Sequence, residues 1–420
     1  MTGEDMTWLG GFGRAFRNRN FAVYTAGSAV SLVGTWLQRA TIGWLAWKLT
    51  LDPFMVALAV SVDLIPAVLV SPWAGAVADR QTDLRLLFWL QALSLVQAVV
   101  LAALAFSGAL SLVALLTLTA LLGALSGFHQ PLRLSLTHAL VRETDVAAAV
   151  AVNAVIFNLA RVAGPAAAGF IIHHLGSGPA FALNAATFVA ALVAIAYIRP
   201  GLQIATRRAR DPLLREILSG YRYMVRSRSI GRLLVVALSG ALLVRPALDL
   251  MPAYVGQVLA GGPDDLGVLM AAVGAGAMAS AVWMAWRGAN DGLTRIASAS
   301  LLLATVALTA FAAATTMSFA LACVFAIGLA MGLRGTSTQA LIQNRVDPAM
   351  RGRVLSLHTT LFSIGPALGA LAVGAIVHWV GFDVPLYGAA ALNLVVWLWW
   401  IRLGPRQPAT DEPQPPQGTR

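Results

Sequence analysis

Lysine occurs once in the 420 residues, as Lys48, and it follows Trp47 rather than a glycine. A phosphate-binding loop needs Gly-Lys followed by Ser or Thr, so the chain holds no Walker-type ATPase of its own. Cysteine also occurs once, as Cys323. That excludes a disulfide framework and a multi-cysteine metal site, and leaves a small apolar core residue. Neither a His-Glu-x-x-His zinc pair nor a Gly-x-Ser-x-Gly nucleophile elbow is present. His173 and His174 are adjacent, and adjacent side chains on a helix do not face each other, so they read as polar interface residues rather than metal ligands. No catalytic residue, metal or cofactor is expected.

Charge is scarce as well. Only 11% of residues are Asp, Glu, Lys or Arg, while 58% are hydrophobic; a soluble chain carries about 25% charged residues. The net charge of +11 does not point to nucleic acid, because the arginines sit in short segments between long apolar runs, as in a membrane protein. The first twenty residues carry Glu4 and Asp5 and no short apolar region ahead of a small-residue cleavage site. The first span is therefore expected to act as its own insertion signal.

A bilayer span needs about 20 mostly apolar residues. Twelve such runs are expected, at 21–47, 54–78, 84–106, 110–131, 147–172, 180–198, 231–258, 265–286, 293–313, 317–341, 353–379 and 384–402. Asp52-Pro53, Gly176-Ser177-Gly178-Pro179 and Gly261-Gly262-Pro263 punctuate them as turns. The expected organisation is an N-terminal segment 1–20, a six-helix bundle 21–198, an arginine-rich connector 199–230, a second bundle 231–403 and a Pro- and Gln-rich disordered tail 404–420. With twelve spans, every basic loop falls on one side and only Lys48 on the other, which places both termini in the cytoplasm.

The halves repeat weakly. Gly169, His173 and Gly176 in the fifth span recur as Gly374, His378 and Gly381 in the eleventh, and Leu183-Asn184 recurs as Leu392-Asn393. Repeated bundles place a substrate site near the midplane between them, with alternating access by rocking.

An ionisable residue at the centre of a span costs at least ~2.5 kcal/mol unless paired or hydrated. Of the eighteen acids, only Asp63 and Asp249 fall well inside spans. At 1.5 Å per residue, Asp63 lies ~22 Å and Asp249 ~27 Å above the cytoplasmic ends of their helices, with Arg39 at a depth like that of Asp63 and Arg161 near the middle. Two readings stand. Asp63 and Asp249 carry protons as the cavity alternates, or Arg39–Asp63 and Arg245–Asp249 are fixed ion pairs, the latter four residues apart on one helix face. Arg161 is a candidate for cavity shaping or substrate contact, with packing as the alternative. Gln38 and Asn158, with Trp36, Asn153, Phe157, His129 and Gln130, are candidates for lining the cavity.

Gly75-Ala-Val-Ala-Asp79-Arg80-Gln-Thr-Asp83-Leu-Arg85, between the second and third spans, resembles the signature loop of the major facilitator superfamily. Thr82 stands where that loop usually has Gly, and Asp83-Leu84 where it is often basic. Gly164-Pro165 with Gly169 in the fifth span resembles the Gly-Pro motif of exporters of this superfamily, and Gly365-Pro366 with Gly369 is a related copy in the eleventh. Gly34-Thr-Trp-Leu-Gln38, Phe157-Asn-Leu-Ala-Arg161, Arg245-Pro246, Asp249-Leu-Met-Pro252 and Arg351-Gly-Arg353-Val-Leu-Ser356 extend the likeness over residues 12–403. The whole resembles the enterobactin-exporter-like branch, which includes siderophore and macrolide exporters. The resemblance implies an all-helical transporter in the bacterial inner membrane, exporting a small organic molecule against protons as a monomer. It also implies a cytoplasmic gate built from Gly75, Asp79, Arg80, Arg85, Arg351 and Arg353. Uptake on the same fold and lipid flipping are the alternatives.

Overall fold

The computed structural model describes residues 16–80, 84–198, 222, 227–288, 291–347 and 350–403. Among them the chain is helical throughout, with no strand. The helices are α1 (Arg19–Thr50), α2 (Pro53–Arg80), α3 (Leu84–Phe106), α4 (Leu112–Leu140), α5 (Val146–Leu175) and α6 (Ser177–Ala196), then α7, α8 (Pro263–Arg287), α9 (Leu293–Ala312), α10 (Met317–Arg345), α11 (Arg351–Val380) and α12 (Asp383–Leu403). The seventh, α7, is broken: Arg228–Ser239, a π-helical turn Gly240–Val244, then Arg245–Asp249 and Met251–Gln257. Pro246 and Pro252 open the last two pieces, since proline cannot donate into the helical ladder. The connector lies almost wholly outside the described residues, as do most of the N-terminal segment and the tail.

Eleven of these helices are long and apolar enough to cross a membrane. The exception is α1, whose 32 residues are long enough but carry Ser28, Ser31, Thr35, Gln38, Arg39 and Thr41. It tolerates them because half of its residues are buried among other helices. Two expected boundaries moved. Where the apolar run of the fourth span ends at Pro131, the helix continues to Leu140, and the seventh span is segmented rather than continuous. Large apolar side chains such as Trp89, Val113, Phe170, Trp286 and Trp379 stand exposed around the barrel, as lipid contact demands.

Short links make sequential helices antiparallel within each half, and the packing of the end of α1 on the end of α7 sets the halves in the same sense, so Arg19 and Leu403 share one face, called here the terminal face. In the first half α2 packs on α4, α1 on α5 and α6, and α3 on α6; in the second, α8 packs on α10, and α9 on α10 and α12. The halves are joined by α5 with α8, by α2 with α11, and by the distal part of α7 with α1 and α2. The buried apolar residues divide by depth. Near the distal face one continuous core includes Trp44, Trp47, Val56, Leu101, Leu115, Val244, Tyr254, Leu269, Phe311, Ile327 and Val377, and so spans both halves. Toward the terminal face there are two separate cores, one around Phe21, Leu90, Leu136 and Ile195, the other around Ile230, Leu301, Ile342 and Trp400. Among the described residues, therefore, the halves share one core distally and have separate cores toward the termini.

Candidate functional site

Glycines set the closest approaches. A Cβ at Gly123 of α4 would collide with the Asp63 carbonyl of α2, and one at Gly328 of α10 with the Val273 carbonyl of α8. Four residues on, Gly127 and Gly332 repeat the contact on the same partner helices. These are small-xxx-small seams, the usual way for membrane helices to bring backbones together. The fifth and eleventh helices use theirs alike: Gly164 meets α1 at Trp36 and Leu37, while Gly365 and Gly369 meet α7 at Ala241 and Leu242. Gly169 closes on Gly267 across the halves. Pro165 and Pro366 sit within helices that run on past them.

That packing sets a line of charged and aromatic groups across the middle. Arg39 Nε of α1 lies 2.9 Å from Asp63 Oδ2 of α2. The approach is off the N–H direction, so the contact is an ion pair rather than an aligned hydrogen bond, and Asp63 Oδ1 is buried without a partner. The guanidinium of Arg39 also stands over the Trp36 ring at 5.5 Å, and Arg161 of α5 stands over the same ring at 5.9 Å. Phe157 meets Trp36 edge-on at 5.8 Å. Arg161 in turn lies within electrostatic range of Arg245 and Asp249 of α7. Arg245 Nε donates to Asp249 Oδ1 at 2.8 Å, and Asp249 Oδ2 is buried without a partner. The expected residues Arg39, Asp63, Arg161, Arg245 and Asp249 thus form one chain, with Trp36 as its link.

Other expected positions fall elsewhere. Gln38 is fully buried inside the first bundle: its Nε2 donates to Gln97 Oε1 at 3.1 Å and its Oε1 accepts from Asn184 Nδ2. With both amide ends taken by α3 and α6, it fastens helices and lines no cavity. The Asn158 side chain donates to the Ala154 carbonyl of its own helix and joins no part of the charge chain among the described contacts. Of the expected gate, Arg85 is exposed in the first turn of α3; the side chains of Gly75, Asp79, Arg80, Arg351 and Arg353 lie outside the described residues.

The distal face holds two groups that sequence reasoning placed without their partners. His173 Nδ1 lies 3.2 Å from Asp264 Oδ1, joining α5 to α8. His378 Nδ1 lies 3.1 Å from Asp52 Oδ1, joining α11 to the start of α2. Both cross between the halves, and both histidines belong to the repeated Gly-His-Gly pattern. Arg334, buried on α10, was missed altogether, although an arginine deep in a span is visible to the same criterion that found Arg161.

Twelve helices in two like halves that share a distal core, each half carrying a buried ion pair, define a multi-pass membrane transporter of the major facilitator fold. The fold matches a peptide transporter of the POT family (TM-score 0.75, 14% identity, 92% of this chain and 94% of that one). It also matches a bacterial homologue of the human lysosomal transporter Spinster in its inward-facing, unoccupied conformation (TM-score 0.71, 12% identity, 92% and 96%). A family model described as transmembrane secretion effector covers residues 12–415, and the chain belongs to that family of the major facilitator superfamily. Relatives include the staphyloferrin A transporter of Staphylococcus aureus (24% identical, 80% of this chain and 84% of the relative) and macrolide efflux protein A of Streptococcus pyogenes (21%, 85% and 89%). An uncharacterised transporter of Bacillus subtilis, YfiS, is 24% identical over 91% of this chain and 93% of its own length.

Proposed function

We propose that this transporter is a proton-coupled exporter of a small organic molecule of the siderophore or macrolide kind, working as a monomer in the bacterial inner membrane with both termini cytoplasmic. The observation that carries the coupling is the charge chain, in which each buried carboxylate spends one oxygen on an arginine and keeps the other without a partner. Such a carboxylate can take a proton at the free oxygen and release its arginine. Export is supported by the family description and by the efflux relative, and the orientation by the Lys and Arg asymmetry.

With the termini cytoplasmic, the parting of the two terminal-side cores is an inward-facing state. Substrate enters between the bundles from the cytoplasm while Asp63, ionised, holds Arg39. Rocking of the bundles exposes Asp63 to the outer side, where a proton on Oδ1 dissolves the pair and substrate leaves. Return to the inward state delivers the proton to the cytoplasm, and the pair re-forms. The direct test uses inverted membrane vesicles made acid inside and a panel of labelled macrolides and siderophores. Accumulation that needs the pH gradient is expected. Gradient-independent movement would overturn the coupling, and movement only out of such vesicles would overturn export.

A further inference from the structure

Arg334 lies two residues beyond Gly332, the second glycine with which α10 packs on α8. The residue is 3% exposed, yet neither Nη1 nor Nη2 has a hydrogen-bond partner. Its guanidinium rests against the backbone of α7 at Gly240, where a Cβ would collide with it. Gly240 opens the π-helical turn, a feature that recurs at functional sites.

The guanidinium edges a narrow cleft with Gly240, Met331, Gly335, Thr338 and Phe362, between α7, α10 and α11, which in this conformation has room for about one water molecule. Gly335 faces open space. Phe362 stacks on His358, with ring centroids 6.2 Å apart, and His358 Nε2 is also buried without a partner. The described carboxylates of this half are Asp249, Asp264, Asp265, Asp291, Asp347 and Asp383; Asp249 is held by Arg245, and none lines the pocket. At about 16 Å from the end of α10 at Arg345, counted at 1.5 Å per residue, Arg334 stands near where the two halves begin to part. The first half holds a different group at the like place. His129 follows Gly127 of α4 at the same two-residue spacing, and its ring bonds to the Leu90 backbone.

A permanent cation at membrane depth with both terminal nitrogens free is expensive unless something pairs with it. We propose that, as the bundles rock and widen this cleft, Arg334 becomes the docking point for a carboxylate on the transported molecule, with Met331 and Phe362 packing against its apolar body. The two free nitrogens form a planar fork that matches the two oxygens of one carboxylate. A doubly charged phosphate would find only one cation there. The assignment rests on reading the chain as a transporter of organic solutes, and it narrows that solute to a carboxylic acid.

Calorimetric titration of the purified full chain in detergent with 2-naphthoate and its neutral isostere 2-naphthamide tests it. The wild type is expected to bind the acid about tenfold or more tightly than the amide, the scale of a charge-assisted pair. Arg334→Gln is expected to bind both alike, and Arg334→Lys, which keeps the charge but loses the fork, to fall between. Gly240→Ala, which displaces the guanidinium without removing it, should narrow the same gap and serves if Arg334→Gln does not fold. Equal binding of acid and amide by the wild type, or a gap that persists in Arg334→Gln, would overturn the assignment. The titration needs no gradient, so the acid preference is read by a different measurement from the gradient dependence of vesicle accumulation. Failure of the coupling and failure of the docking point are thereby separable.

Discussion

The two halves of the molecule answer the same packing problem in the same way and then part company over charge. Gly123 and Gly127 on α4 do for α2 what Gly328 and Gly332 on α10 do for α8. Asn184 of α6 and Asn393 of α12 are both fully buried, each donating to neighbouring helices of its own half. Each half also sends a histidine to an aspartate of the other. The ion pairs differ. Arg39–Asp63 joins two helices, α1 and α2, whereas Arg245–Asp249 lies within the single helix α7. A pair between helices can change partner when the helices shift; a pair on one helix moves as a unit. The shared parts hold the scaffold, and the parts that differ are where transport chemistry is placed.

That contrast can be broken most sharply at the carboxylates. A two-unit pH gradient supports at most about a hundredfold concentration ratio per proton. Asp63→Asn is expected to collapse that ratio to one in vesicle accumulation assays, while Asp249→Asn should retain part of it. Full coupling in Asp63→Asn, or equal loss in both, would remove the distinction between the halves.

The scaffold should respond symmetrically. Gly123→Ala and Gly328→Ala each press a methyl against a carbonyl of the partner helix. Each is expected to cost about 1–3 kcal/mol, the usual cost of overpacking, read as a lower thermal midpoint in detergent. Gly388→Ala faces open space and is the control. A large difference between the two seam variants would show that one seam is not structural.

The buried asparagines should differ by less. Asn184→Ala strands Gln38 Oε1, which has no other donor among the described contacts, whereas Asn393→Ala frees a helix carbonyl and a Thr305 hydroxyl that already bond elsewhere. Hydrogen bonds between membrane helices average about 0.6 kcal/mol and reach about 1.7. Asn184→Ala is expected near the upper figure and Asn393→Ala near the lower. Equal unfolding shifts would mean that Gln38 finds another donor.

The smallest effect belongs to the distal histidines. Their side chains are about half exposed, so each pair is worth at most about 0.5 kcal/mol after screening by solvent. His173→Gln and His378→Gln should each speed amide hydrogen exchange at the starts of α8 and α2 respectively by no more than about twofold. A change confined to one of them would break the symmetry of the distal closure.

Much of this arrangement was legible before any coordinates. Apolar run length gave the twelve helices. Depth counting put Arg39 and Asp63 at one level, and they meet. The Gly-His-Gly repeat marked both distal contacts, but not Asp52 and Asp264, because a sequence does not say which turn lies across from a helix end. Gln38 was misplaced for a related reason. A polar residue in a span looks the same whether its face turns to a cavity or to two neighbouring helices. Arg334 lies deep in its span as Arg161 does, and has no hydrogen-bonded acid to mark it as one of a pair. The segmentation of α7 was not legible in its apolar run, and the π-turn at Gly240 sits where Arg334 of α10 and Gly365 of α11 press against it.

The modest hydropathy of α1 has a consequence for how the protein is made. Of the twelve helices, α1 is the least able to remain in lipid alone, because Gln38, Arg39 and Thr41 prefer water until they are covered. Its main partners, α5 and α6, are synthesised about a hundred residues later, on the order of ten seconds of translation. Through that interval α1 must wait beside the translocon or be sheltered by a chaperone, and its residence in the bilayer is completed only when the sixth helix arrives to receive it.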